Sequence, residues 1–154
     1  MMASIDDVAA HVVSHFDGPI STMKLQKLCY MSQGWSLALL GHELFSEEFE
    51  AWKNGPVSRR LFAQHRREFS VDSWPSGKAE RLESRERALV DAVLENYGGL
   101  SGLQLGELTH RAGTPWTMTR EQHGVAEGDS STVVIPKDRI EAHYKSRLSR
   151  SSGA

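Results

Sequence analysis

Histidine, cysteine and glycine stand here at spacings that can carry chemistry. His11 and His15 are i and i+4, the separation that lets one helical face offer two imidazoles to a metal ion. Neither has an adjacent Glu, and no third ligand is spaced to join them, so the pair reads as ordinary helix surface. Cys29, the one cysteine, falls among apolar residues, where a thiol's pKa rises and its nucleophilicity falls, and it reads as core packing. A lone cysteine also excludes an internal disulfide and a Cys-rich zinc site. The run Gly98-Gly99-Leu100-Ser101-Gly102 lacks both the lysine and the preceding apolar strand of a phosphate-binding loop. No Gly-x-Ser-x-Gly elbow occurs. The chain therefore reads as a non-enzyme, with no catalytic, metal or cofactor site expected.

Arginines offer a different chemistry. Arg59, Arg60, Arg66 and Arg67 fall on one predicted helix, with Arg81, Arg85 and Arg87 further on, and could contact phosphates or an acidic protein surface. Neither helix-turn-helix spacing nor an aromatic stacking platform accompanies them, so nucleic acid is not the expected partner and a solvated face is the plain alternative.

Three clusters are harder to treat as accidents of packing. Lys24-Leu25-Gln26-Lys27-Leu28-Cys29-Tyr30 alternates so that Lys24 and Lys27 lie beside one another while Leu25 and Leu28 go inward. Glu50-Ala51-Trp52-Lys53-Asn54-Gly55-Pro56-Val57 joins an expected strand to an expected helix through a glycine turn. Leu108-Thr109-His110 precedes Pro115-Trp116 after a short glycine break. The plain reading of the tryptophans is core filling, each indole N–H needing an acceptor, and of His110 a cap on its own helix.

The elements that must position these residues are mostly helices. Ile5, Val8, Ala9, Val12, Val13 and Phe16 follow a 3.6-residue period behind an N-cap at Ser4, with Asp6 and Asp7 in the first turn. A second helix starts at residue 21 or 22 and reaches residue 40; it is apolar on more than one side, which places it at the centre of the fold. Residues 44–53 suggest one or two short strands, and Glu47 and Glu48 an exposed edge. Pro56 opens a helix with Val57, Leu61, Phe62 and Phe69 inward, and residues 70–78 form a loop carrying an exposed Trp74. Further helices follow over residues 84–97, from a Ser101–Gln104 capping box, from Thr114-Pro115, and from Pro136. Residues 47–52 and 132–135 are the strand-pairing candidates. The expected fold is mainly α (α+β): a single domain over residues 1–148 with about six helices and a two- or three-stranded element, then a disordered tail at 149–154.

Composition agrees. With 154 residues, 39% of them hydrophobic, and a net charge of −2, the chain reads as one globular domain, neither disordered throughout nor a generic polyanion binder. Its longest unbroken apolar stretch, residues 37–40, is far short of the roughly 20 residues of a membrane span. Asp6 and Asp7 stand where a signal peptide would carry positive charge, so a cytoplasmic protein is expected.

At the three clusters the sequence resembles the Panacea domain family, which includes SocA-type antitoxins and many phage-associated proteins. Lys24, Leu25, Lys27, Leu28 and Tyr30 match its K-L-x-K-L-x-Y helix; Glu50, Ala51, Trp52, Gly55, Pro56 and Val57 its acidic-A-W-x-x-G-P-V turn; Thr109, His110, Pro115 and Trp116 its T-H-x-x-x-x-P-W junction. The sequence departs from the pattern at Asn54 and at Ser58-Arg59. The resemblance implies an antitoxin that neutralises a toxin encoded beside it by direct protein–protein binding, alarmone synthetases being among the toxins so met. An alternative within that resemblance is an adaptor delivering the toxin to an ATP-dependent protease; a separate alternative, not implied by it, is a DNA-binding regulator of its own operon. Lys24, Lys27, Tyr30, Trp52, Gly55, Pro56, His110, Pro115 and Trp116 are then signature residues, in the interior or at the interface. Arg59, Arg60 and Arg66 beside Trp74 are the candidate toxin-binding patch, in which reversing Arg59 and Arg60 to Glu is expected to weaken binding and leave the melting temperature nearly unchanged.

Overall fold

Ser21 starts the central helix. Its hydroxyl accepts the Lys24 amide at 3.1 Å, and α2 runs Thr22–Leu39. Leu25, Leu28, Cys29, Tyr30 and Met31 are all buried, and the helix is enclosed by α1 (Ile5–His15), α4 (Ser84–Tyr97), α5 (Gly102–His110) and α7 (Lys137–Ser152). Its polar residues are used inward as well. The Gln33 side chain accepts from the Leu44 amide at 2.7 Å and donates to the Phe45 carbonyl at 2.8 Å. Two turns earlier, Gln26 accepts from the Ser58 amide at 2.8 Å and donates to the Ser58 carbonyl at 3.1 Å. Each buried amide thus gives a loop the paired donor and acceptor that a neighbouring strand would.

The computed structural model describes residues 2–152. Among them are seven α-helices and two two-stranded antiparallel sheets, a mainly α fold with small β elements. β1 (Ile20–Ser21) pairs with β4 (Ser70–Val71), and β2 (Glu50–Trp52) with β3 (Gly55–Val57). The expected contact of residues 47–52 with 132–135 is present as an antiparallel bridge, the Ala51 amide donating to the Val133 carbonyl at 2.7 Å. The remaining helices are α3 (Arg59–His65) and α6 (Pro115–Gln122), with a 3-10 turn at Ala79–Arg81. No helix among the described residues is long and apolar enough to cross a membrane.

Pro56 does not begin a helix. It lies in β3 opposite Ala51, and α3 starts only after Ser58, whose hydroxyl accepts the Leu61 amide at 3.3 Å. A proline's fixed φ and missing N–H suit a short edge strand as well as a first helical turn, so the residue type alone does not decide. Glu47 is likewise no bare edge charge, because its carboxylate accepts the Ile5 amide at 3.0 Å at the start of α1. At the other end, α7 continues through Ser152, into the stretch expected to be a tail, and residues 153–154 lie outside the described residues.

Two aromatic residues exchange their expected places. Phe69 follows the end of α3, where the helical period no longer applies, and its side chain is 92% exposed. Trp74 is buried, its indole Nε1 donating to Asp6 Oδ1 at 3.0 Å. That carboxylate also accepts from Gln64 Nε2 at 2.7 Å and from Arg60 Nε at 2.9 Å. Asp7 accepts the Lys78 amide at 2.8 Å, and Gly77 lies so close to the Asp6 carbonyl that a Cβ there would collide with it. The first-turn acids of α1 therefore hold the 70–78 loop, which conceals Trp74. Trp74→Phe, losing one hydrogen bond to a buried carboxylate and part of the indole's packing, is expected to cost about 2 to 3 kcal/mol in thermal or urea unfolding.

Candidate functional site

The site forms where the β2–β3 turn meets the α5–α6 junction. Thr114 makes that junction rigid: its hydroxyl donates to the Thr109 carbonyl at 2.7 Å and accepts the Thr117 amide, while Pro115 fills the first position of α6. The corner brings His110 and Trp116 into a parallel stack, with ring centroids 4.0 Å apart and planes 7° from parallel. Trp116 Nε1 then donates to the Trp52 carbonyl at 2.7 Å, locking the stack to β2.

Beneath the turn lies Lys27. Its side chain is 2% exposed, and Nζ has one acceptor, the Pro56 carbonyl, at 3.5 Å. The chain passes over it at Gly55 with φ of 127°, a conformation that disfavours any side chain. A Cβ on Gly55 would also stand 2.9 Å from Lys27 Nζ and 3.3 Å from His110 Nε2, so lysine and histidine both close in on the glycine. Burial pushes the Lys27 amine down to about 8. Burial also lowers His110; a hydrogen bond to the Asn54 backbone opposes this, and the charges of Lys27 and Arg120 lower it further.

Arg120, which sequence reasoning passed over, completes the arrangement. It is 3% exposed and donates to the carbonyls of Ala51 at 3.0 Å, Ala126 at 3.2 Å and Asp129 at 2.5 Å. Its guanidinium lies 4.9 Å from the centre of the Trp116 ring. The signal for it was local: Arg120 stands i+4 from Trp116 on the same helix, the spacing at which side chains meet. A cleft of about 500 Å³ opens over these groups, lined by Lys53, Asn54, His110, Trp116, Arg120 and two exposed acids, Glu121 and Glu127.

The fold thus gathers Lys27, Trp52, Gly55, Pro56, His110, Pro115 and Trp116 around one junction. Lys24 and Tyr30 lie elsewhere on α2. Lys24 points away from Lys27 and donates to the Gly98 carbonyl at the end of α4, 2.6 Å away; Tyr30 is buried edge-on to Phe49, ring centroids 5.2 Å apart. Cys29 is fully buried and its thiol pKa pushed well up by burial and by the charge of Asp6, while His11 Nε2 contacts Asp91 at 2.7 Å.

The arginine patch divides. Arg59 is exposed and makes two hydrogen bonds to Glu50, at 2.8 and 3.1 Å, beside Trp52. Burial raises the Glu50 pKa, but hydrogen bonds from Arg59 and Trp52 and the Arg59 charge outweigh it, leaving the carboxyl below its ordinary value. Arg60 instead neutralises buried Asp6, so a glutamate there would face a buried carboxylate and lower the melting temperature, contrary to expectation. Arg59, Phe62 and Arg66 follow one another at i, i+3 and i+7 on α3, Phe62 sits edge-on to Trp52, and exposed Phe69 comes just past the helix end.

A family model described as "Antitoxin SocA-like, Panacea domain" matches residues 25–117, a span that contains the three signature clusters except for Lys24. Antitoxin SocA of Caulobacter vibrioides (strain NA1000 / CB15N) is 30% identical over 140 aligned residues, covering 80% of this chain and 73% of the relative. No solved structure matches the chain significantly.

Proposed function

We propose, from the premise that the chain belongs to the SocA-like, Panacea domain family of antitoxins, that it neutralises a protein toxin encoded by the adjacent gene through direct binding. The observation that carries this reading is the identity to Antitoxin SocA over most of both chains. Binding of this kind needs a surface with a few aromatic or arginine anchors rather than a reactive centre. Trp52, Arg59 and Phe62 supply that combination beside α3, and exposed Arg66 and Phe69 follow at and just past its C-terminal end, Phe69 taking the exposed aromatic role that Trp74 was expected to fill. The toxin, for which an alarmone synthetase is the first class to try, meets this face and loses its activity by being covered.

Co-expression with the neighbouring open reading frame tests the function. Growth is expected to be arrested by that frame alone and restored by the pair, which should co-purify; arrest that persists in the presence of this chain overturns the reading. Phe69→Ser combined with Arg66→Glu tests the face. Both side chains are exposed, so the melting temperature should stay within about 2 °C, while affinity for the toxin falls about tenfold or more. Unchanged affinity moves the interface elsewhere on the molecule.

A further inference from the structure

Two buried cations flank the His110–Trp116 stack, and no acid neutralises either. Lys27 has only the distant Pro56 carbonyl, and Arg120 donates to three backbone carbonyls. Among the described residues, no salt bridge includes Lys27 or Arg120. Buried charge is ordinarily paired, because leaving it uncompensated in a medium of low polarity costs several kcal/mol. Arg120 lines an open cleft whose wall is a stacked imidazole and indole, together with Lys53 and Asn54, and Lys27 lies outside that lining, near enough to His110 for its charge to act on the imidazole. From this geometry we infer that the cleft is a carboxylate-binding site, filled by the acidic side chain or free C-terminus of a polypeptide that completes the charge balance of Lys27 and Arg120.

The rim sets the ligand's charge. Glu121 and Glu127 line the same cleft, so a dianionic phosphate meets more repulsion than a singly charged carboxylate. The inference stands apart from toxin neutralisation, since its ligand is defined by charge and its test requires no toxin. In the full chain, the NMR signals of the Trp116 indole N–H and the His110 ring are followed during four titrations. The probes are N-acetyl-Gly-Gly with a free terminus, N-acetyl-Glu-N-methylamide, its neutral Gln counterpart, and inorganic phosphate. Saturable shifts are expected with a carboxylate probe and not with the neutral one, and the better of the two carboxylates identifies terminus or side chain as the source. Of the groups around the cleft, His110 is already neutral at pH 7, whereas Lys27 gives up its proton around pH 8, so binding should weaken at least threefold between about pH 7 and about pH 9.5. Lys27→Met should weaken it about tenfold. Equal response to the neutral probe, preference for phosphate, or affinity indifferent both to pH and to Lys27→Met would overturn the inference; the pH series needs no variant to fold.

Discussion

Arg120→Met is expected to lower the unfolding free energy by about 3 to 5 kcal/mol, a large fraction of the roughly 5 to 15 kcal/mol that holds a domain of this size together. The methionine can replace the stem of the arginine against Trp116 but none of its donors. Three carbonyls lose a donor: buried Ala51 in β2, and, in the loop after α6, Asp129 and Ala126, the last of which keeps the Asp129 amide at 3.0 Å. Hydrogen bonds from a charged donor contribute about 1.5 to 3 kcal/mol each, and an acceptor left buried without a donor bears its desolvation cost. The damage should be local before it is global. Hydrogen exchange is expected to speed first in residues 123–131 and in β2, while α1 and α4 keep their protection. Arg120→Lys should recover only part of the loss, because an ammonium is a compact point of charge without the planar fork that reaches several acceptors at once. A variant as stable as the parent would show that the loop and strand do not depend on this guanidinium.

How far the sequence disclosed this arrangement depended on how far apart the interacting residues lie. Helix starts marked by a capping side chain were readable because their determinants are local, unlike the one expected at Pro56: Ser101 and Gln104 exchange hydrogen bonds at 3.1 and 2.9 Å, and Thr114-Pro115 begins α6 as its chemistry suggests. The span of α4 was readable for the same reason, its apolar period ending at a glycine pair. Failures came where a side chain's fate rests with a remote partner. Trp74 looks like a loop residue until Asp6, 68 positions earlier, accepts its indole proton. Lys27, expected beside Lys24, is instead enclosed by the Pro56 turn 29 positions later, while Lys24 reaches the end of α4. Most residues of the signature clusters meet at one junction in the fold, yet neither composition nor period could say that three separate segments converge there. Arg120 shows an intermediate case, since its i+4 relation to Trp116 is local but its three acceptors are not.

Lys27→Met should make the protein more stable at neutral pH, by about 2 kcal/mol, or roughly 4 to 8 °C in melting temperature. The direction follows from the pKa. In the unfolded chain the amine titrates near its ordinary 10.5, whereas burial brings it to about 8 in the folded state. A depressed folded pKa means the folded form binds its proton more weakly, so the penalty of enclosing an ammonium is fully present below about pH 8. It is relieved as pH rises from about 8 toward 10.5, and above that range both states are neutral. A shift of this size corresponds to about 3 kcal/mol, from which the weak hydrogen bond to the Pro56 carbonyl, lost in the variant, must be subtracted. Methionine matches the length of the lysine stem and keeps the apolar contacts beneath Gly55. Two measurements check the argument together: urea unfolding at neutral pH, where the variant should be the more stable, and the same series from pH 8 to 10.5, where the parent's stability should climb while the variant's stays level. If the variant is less stable and the parent's pH profile flat, the ammonium is well accommodated and carries no excess charge into the cleft. If stability rises while carboxylate binding falls, the lysine is held in the interior at a cost that its ligand offsets.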